Sequence, residues 1–223
     1  MAVSVTILLD NQPLSLDAAP ADATLADALD RAREQLDGTE LMVFGVCCDG
    51  DAIGPQSLDD AMNRPLDTWQ SVEFSSAHPK DVVIEALKQT RTALSDTFPA
   101  IRQAAQLLAG GNVSEAMSAM VRCLAVWGRT HEAIVQGAAL IAVDFEAVIV
   151  DRRPLLDWIQ DLARGLRELK STIESRDFVL LGDVLRYELD ATLQGWERML
   201  DGLIEHVESK PAAPDLRPAA VVP

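Results

Sequence analysis

The amino-acid sequence predicts an α+β protein: a small strand-rich domain followed by an all-α antiparallel bundle of about four helices. Three observations carry this. From Val3 to Ala77 the apolar residues alternate or run together in short β-branched stretches. After Ala77 they recur at three and four residues, the period of an amphipathic helix, as far as about Ser209. The links between these helical stretches are short, which makes neighbours antiparallel. The expected division is residues 1–77, 78–208 and a tail over 209–223 whose proline and alanine content predicts disorder.

In order along the chain, VSVTILL ends at the turn-forming Asp10-Asn11, and LSLDA follows Pro13, which reads as a hairpin. Asp22 or Thr24 caps a helix whose inner face is Leu25, Ala28, Leu29, Ala32 and Leu36, and Gly38 stops it. LMVFGVCCDGDAI predicts a buried strand ending at Asp49-Gly50, a strong hairpin signal. SLDDAM predicts a short helix capped by Ser57, with Asp59 and Asp60 in its first turn, and SVEFSSA a closing strand.

This order of hairpin, helix, strand, turn, short helix and strand over about residues 3 to 77 resembles the β-grasp, or ubiquitin-like, fold, in particular its sulfur-carrier branch. The resemblance implies a compact sheet gripping one helix. Carrier activity in that branch needs a free C-terminal Gly-Gly, whereas the last strand here ends in Ser75-Ser76-Ala77 and the chain in Val222-Pro223. The fold is therefore expected to serve binding rather than sulfur transfer.

In the helical part, Pro79 and Asp81 suit a first turn, and Pro99 is expected to kink or break that helix. Asn112 with Glu115 predicts a capping box for a helix carrying Met117, Met120, Leu124, Trp127, Ile134, Ala138 and Ile141 on one stripe. Asp151 to Pro154 marks a further break. Leu155 to Ile173 defines the next helix, and Ser175-Arg176-Asp177 turns into a last one reaching about Val207.

The formal net charge of −16 and a sequence pI near 4.4 argue against nucleic acid and anionic membrane surfaces as partners. The opening MAVSVTILLD lacks a signal peptide's basic start and apolar core, and no apolar stretch approaches the about 20 residues that span a bilayer. A cytoplasmic protein is expected. Three cysteines, two of them adjacent, form no disulfide framework. Cys47 and Cys48 lie beside Asp49 and Asp51, whose charge disfavours a thiolate, so one buried and one exposed inert thiol is the expectation.

His131 sits on the apolar stripe between Trp127 and Ile134, but no second histidine follows at the zinc-protease spacing, and the Glu-x-x-His pairs of di-iron bundles are absent. In the last helix Arg186, Tyr187 and Glu188 interrupt a leucine-rich stretch. Glu188 falls near the inner stripe, three residues after Leu185 and eight before Trp196, where a carboxylate needs a partner such as Arg164 or Arg167. A structural salt bridge is one reading; the sharper one is a polar pocket formed by Glu188, Tyr187 and His131. Trp127, Trp158 and Trp196, one on each of three helices, are core or groove residues.

Neither a catalytic constellation nor a cofactor motif is read. The expected function is a non-enzymatic adaptor or chaperone-like module that binds another protein. A self-associating helical face is equally compatible, and the acidic helices loosely resemble cytosolic chaperones of flagellar and secretion systems. The alternatives are a small-ligand or metal-binding bundle, with or without enzymatic activity, and an accessory to sulfur transfer.

Overall fold

A computed structural model describes residues 5–15 and 23–209. The α+β class holds, and the chain divides into two compact units at Val82 and Val83. The expected disordered tail, the Asp22 cap and most of LSLDA lie outside the described residues.

The first unit is one five-stranded mixed sheet with helices in its crossovers. Strand β1 (Thr6–Leu9) turns through Asp10 and Asn11, both at positive φ, into the two-residue β2 (Gln12–Pro13). Helix α1 (Leu25–Gln35) starts at a capping box. The Thr24 hydroxyl accepts from the Asp27 amide and the Asp27 carboxylate accepts from the Thr24 amide, which satisfies two of the donors a helix start leaves unpaired.

Strand β3 (Met42–Cys48) reverses through Asp49 (φ 52°) and Gly50 (φ 87°) into β4 (Asp51–Ala52), the paired positive φ angles that a two-residue hairpin turn needs. Strand β5 (Ser71–Ala77) then enters the centre, parallel to β1 and antiparallel to β3, so the sheet order is β2-β1-β5-β3-β4. Asp49 closes its own turn onto β5, its carboxylate accepting from the Gln70 and Ser71 amides at 2.8 Å each. Asp10 does the same at the other end, accepting from the Ser76 amide at 2.7 Å. Alternation sends Ile7, Leu9, Val46, Cys48, Val72 and Phe74 into a core with Leu25, Ala28 and Ala32 of α1.

Helix α2 (Pro55–Met62) departs from expectation. Ser57 is not its cap, since the helix begins two residues earlier behind Gly54 and the Ser57 hydroxyl donates to the Gly54 carbonyl. A proline at the first helical position loses no hydrogen bond, so the chain enters the helix there.

The second unit contains the larger core. Helix α3 (Pro79–Ser95) is separated from α4 (Thr97–Ala109) at Asp96, not at Pro99. A proline ring clashes with the carbonyl four residues before it, here Ser95, so the discontinuity falls upstream and Pro99 sits comfortably in a first turn. Helix α5 (Val113–Leu140) starts at Asn112 as expected, but the Asn112 side chain makes no capping hydrogen bond.

The break predicted at Asp151 to Pro154 is a miniature hairpin, β6 (Ile149–Val150) and β7 (Arg153–Pro154), turning through Asp151 and Arg152 at positive φ. Helix α6 (Leu155–Glu174) follows directly. Helix α7 (Phe178–Asp183) is capped by Asp177 and runs through a π turn (Val184–Glu188) into α8 (Leu189–Ser209). Lys88, Arg91 and Ser95 of α3 pair with Glu208, Asp201 and Glu197 of α8. The partners descend as the donors ascend, so these two helices run antiparallel.

Candidate functional site

The residues singled out in the sequence do not assemble into a polar pocket. Trp127 and Trp196 are sealed in the core, their rings edge to face at 5.7 Å and 82°. Trp127 Nε1 donates to Thr97 Oγ1 at 3.3 Å, so its polar atom is satisfied inside. His131, one turn further along α5, is half-buried.

Arg186, Tyr187 and Glu188 all face outward. The inner position expected for Glu188 is therefore corrected: Leu189 is the buried residue. The cause is the π turn, whose extra residue sets back everything after it by about 100° relative to an α-helix. Being exposed, Glu188 needs no internal counter-charge. Arg164 pairs with Asp161 and Glu168 instead, and Arg167 donates to the Ala163 carbonyl. The Arg186 guanidinium lies over the Tyr187 ring at 6.0 Å.

Cys48 is buried and Cys47 half-buried on opposite faces of β3. Burial pushes the Cys48 thiol up to about 11, with the Asp49 charge and the Cys47 neighbour adding to the shift. Burial also raises the Cys123 thiol. Neither is prepared as a nucleophile. Among the described residues no group of three or more His, Cys, Asp or Glu side chains is placed to hold a metal ion, and no helix is long and apolar enough to cross a membrane.

Two surface features went unread in the sequence. The first is apolar: Val179 is 79% exposed, Leu180 48% and Tyr187 69%, all within α7 and the π turn. The second is a groove of about 510 Å³ between the β6–β7 hairpin and the C-terminal half of α8. It is lined by Val150 and Gly202, which pack on each other, by the exposed Ile149, and by the polar side chains of Asp151, Asp201, Glu205, Arg198 and His206. Asp151 and Arg198 pair across it at 3.4 Å. Asp201 and Glu205, one turn apart on α8, were the only local signal; the hairpin facing them is some fifty positions away in sequence.

The family described as a domain of unknown function (DUF8042) matches residues 85–199, half of the chain, from within α3 to the middle of α8. The chain belongs to this family. No curated protein and no solved structure matches it.

Proposed function

We propose that the protein is a cytosolic, non-enzymatic protein-binding module, an adaptor or chaperone-like protein whose partner docks on the second unit. The observation that carries this reading is the exposure of Val179, Leu180 and Tyr187 within nine residues of one helix. Clustered apolar side chains of this size on a surface mark interaction sites, and π turns recur at functional positions because they re-aim side chains.

The first unit is read as a β-grasp fold reused for binding. What supports it is the order β2-β1-β5-β3-β4 with a parallel central pair and α1 on one face. The second is read as an antiparallel bundle of about four long helices, supported by the opposed ladder of α3 and α8 pairs.

The test is affinity capture from a native lysate with the tagged full chain and with a Val179→Asp/Tyr187→Asp double variant, after checking by circular dichroism that the variant folds. The expected result is a stoichiometric protein held by the wild type and lost by the variant. Recovery of nothing, or of the same protein by both, overturns the reading.

A further inference from the structure

Helix α5 is 28 residues long, about 42 Å, and its inner side gives Cys123, Trp127, Thr130 and Ile134 to the core. On its far side Val121, Ala125, Gly128, Glu132, Val135 and Ala139 recur at alternating steps of four and three, the spacing of a coiled-coil seam. Gly128 is half-buried and the other five are exposed, Val121 by 61% and Val135 by 38%. Five of the six are small or apolar, so the solvent side of this helix is patterned like a second inner face.

Among the described residues nothing crowds Gly128. A Cβ at Gly137 would stand 3.1 Å from Val83 and one at Gly202 2.6 Å from Val150, whereas one at Gly128 would meet nothing within 4 Å. Only proline is a poorer helix former than glycine, so a bare backbone in mid-helix calls for a close neighbour. Gly165 of α6 is as open, but it lies beside Asp161, Arg164 and Glu168, whose charges pair within the chain. The charges beside Gly128, on Arg129 and Glu132, make no ion pair among the described residues.

We propose that this face is the seam of an antiparallel dimer, α5 packed on α5 of a second copy of the chain about a twofold axis between Gly128 and Glu132. In that register each larger side chain meets a smaller one: Val121 faces the partner's Ala139, Val135 the partner's Ala125, and Glu132 the partner's Gly128. Glu132 then fills the space that Gly128 leaves open and lies beside Arg129, so the axis carries two carboxylates and two guanidinium groups whose charges cancel. The other alignments are worse. Sliding by one heptad sets Glu132 against Val121 or Val135, and a parallel pair brings the two Glu132 carboxylates face to face. The face is thus complementary to itself in size and in charge, as an interface between identical chains must be. This inference goes beyond the adaptor reading and does not rest on it, since it uses a different helix from Val179 and Tyr187.

The experiment is sedimentation velocity on the full chain from about 1 to 200 µM, a range that brackets the affinity of a modest interface. The wild type is expected to pass from monomer to dimer. Gly128→Leu puts a good helix former on an exposed position, so the fold is not at risk, and it should weaken the dimer by about tenfold because the space for the partner's Glu132 is filled. Glu132→Gln should weaken it by about fivefold. Glu132→Arg and Arg129→Glu should each stay monomeric alone and dimerise when mixed, because each supplies the charge that the other lacks.

A monomer throughout, a dimer that Gly128→Leu leaves unchanged, or a mixture no better associated than its two components would each overturn the proposal. So would a dimer abolished by Val179→Asp/Tyr187→Asp, which would place the contact on the other apolar face. A dimer tightened by Glu132→Gln would overturn the antiparallel register, because only a parallel pair gains from losing that charge.

Discussion

Val150 lies so close to the backbone of Gly202 that a Cβ at position 202 would stand 2.6 Å from Val150 Cγ1 and 2.9 Å from Cγ2. Glycine is therefore required where the hairpin crosses α8, despite its poor helix propensity. Gly202→Ala improves that propensity by about 1 kcal/mol but forces the hairpin outward, an overpacking cost of about 1 to 3 kcal/mol. The expected net effect is a lower urea midpoint. A double-mutant cycle checks the cause: Val150→Ala should cost less in the Gly202→Ala background than in the wild type.

The buried hydroxyl of Thr97 donates to the Leu94 carbonyl at 2.7 Å and accepts from Trp127 Nε1. Thr97→Val keeps the shape and strands the indole donor, a cost of about 1 to 3 kcal/mol. Thr130 is equally buried, but its hydroxyl only donates, to the Val126 carbonyl at 3.1 Å, and that oxygen keeps its helical partner. Thr130→Val should therefore cost less than Thr97→Val in parallel urea unfolding curves.

Leu181, Leu185, Leu189 and Leu193 are all buried at four-residue spacing. In a regular α-helix each such step gains about 40°, so three steps would carry Leu193 well out of the core. The π turn absorbs the excess. Deleting the exposed Tyr187 should convert it to an ordinary turn and leave both leucine stripes facing inward, with the fold retained and a midpoint near that of the wild type. Deleting Gln194, also exposed but inside regular helix, rotates the rest of α8 by about 100° and should abolish cooperative unfolding.

That same turn explains where the sequence was opaque. Period and capping residues placed most helices well, and Asp10-Asn11 and Asp49-Gly50 announced their hairpins because their side chains tolerate positive φ. The hairpin at Asp151-Arg152 had no such sign, since arginine is a poor turn former at positive φ and two-residue strands are too short to alternate. The site was least legible. A straight-helix projection put Glu188 inside, and the groove joins Asp151 to Arg198, a pair that only tertiary packing brings together.

Arg152 offers a direct test of that turn. It is exposed and held at φ 62°. A left-handed conformation costs an ordinary residue about 1 to 2 kcal/mol, much of which asparagine avoids. Arg152→Asn is expected to raise stability by about 1 kcal/mol by thermal or urea unfolding.

The Cys48 thiol gives the chain a pH dependence with a definite sign. Its folded pKa stands at about 11 against an ordinary 9.0, mainly because burial disfavours the thiolate, with Asp49 second. As pH rises past 9 the unfolded chain loses this proton while the folded chain keeps it, so the unfolded state binds fewer protons and stability falls. The contribution is complete below pH 9 and is lost as pH climbs to about 11. Urea midpoints measured across that window should decline in the wild type and decline less in Cys48→Ala, which has no thiol to titrate. Alkylation should follow the same logic: iodoacetamide, with the modified peptide identified by mass spectrometry, should reach the half-buried Cys47 before the buried Cys48 and Cys123. Early modification of Cys48 would mean that β3 opens far more readily than its central core position allows.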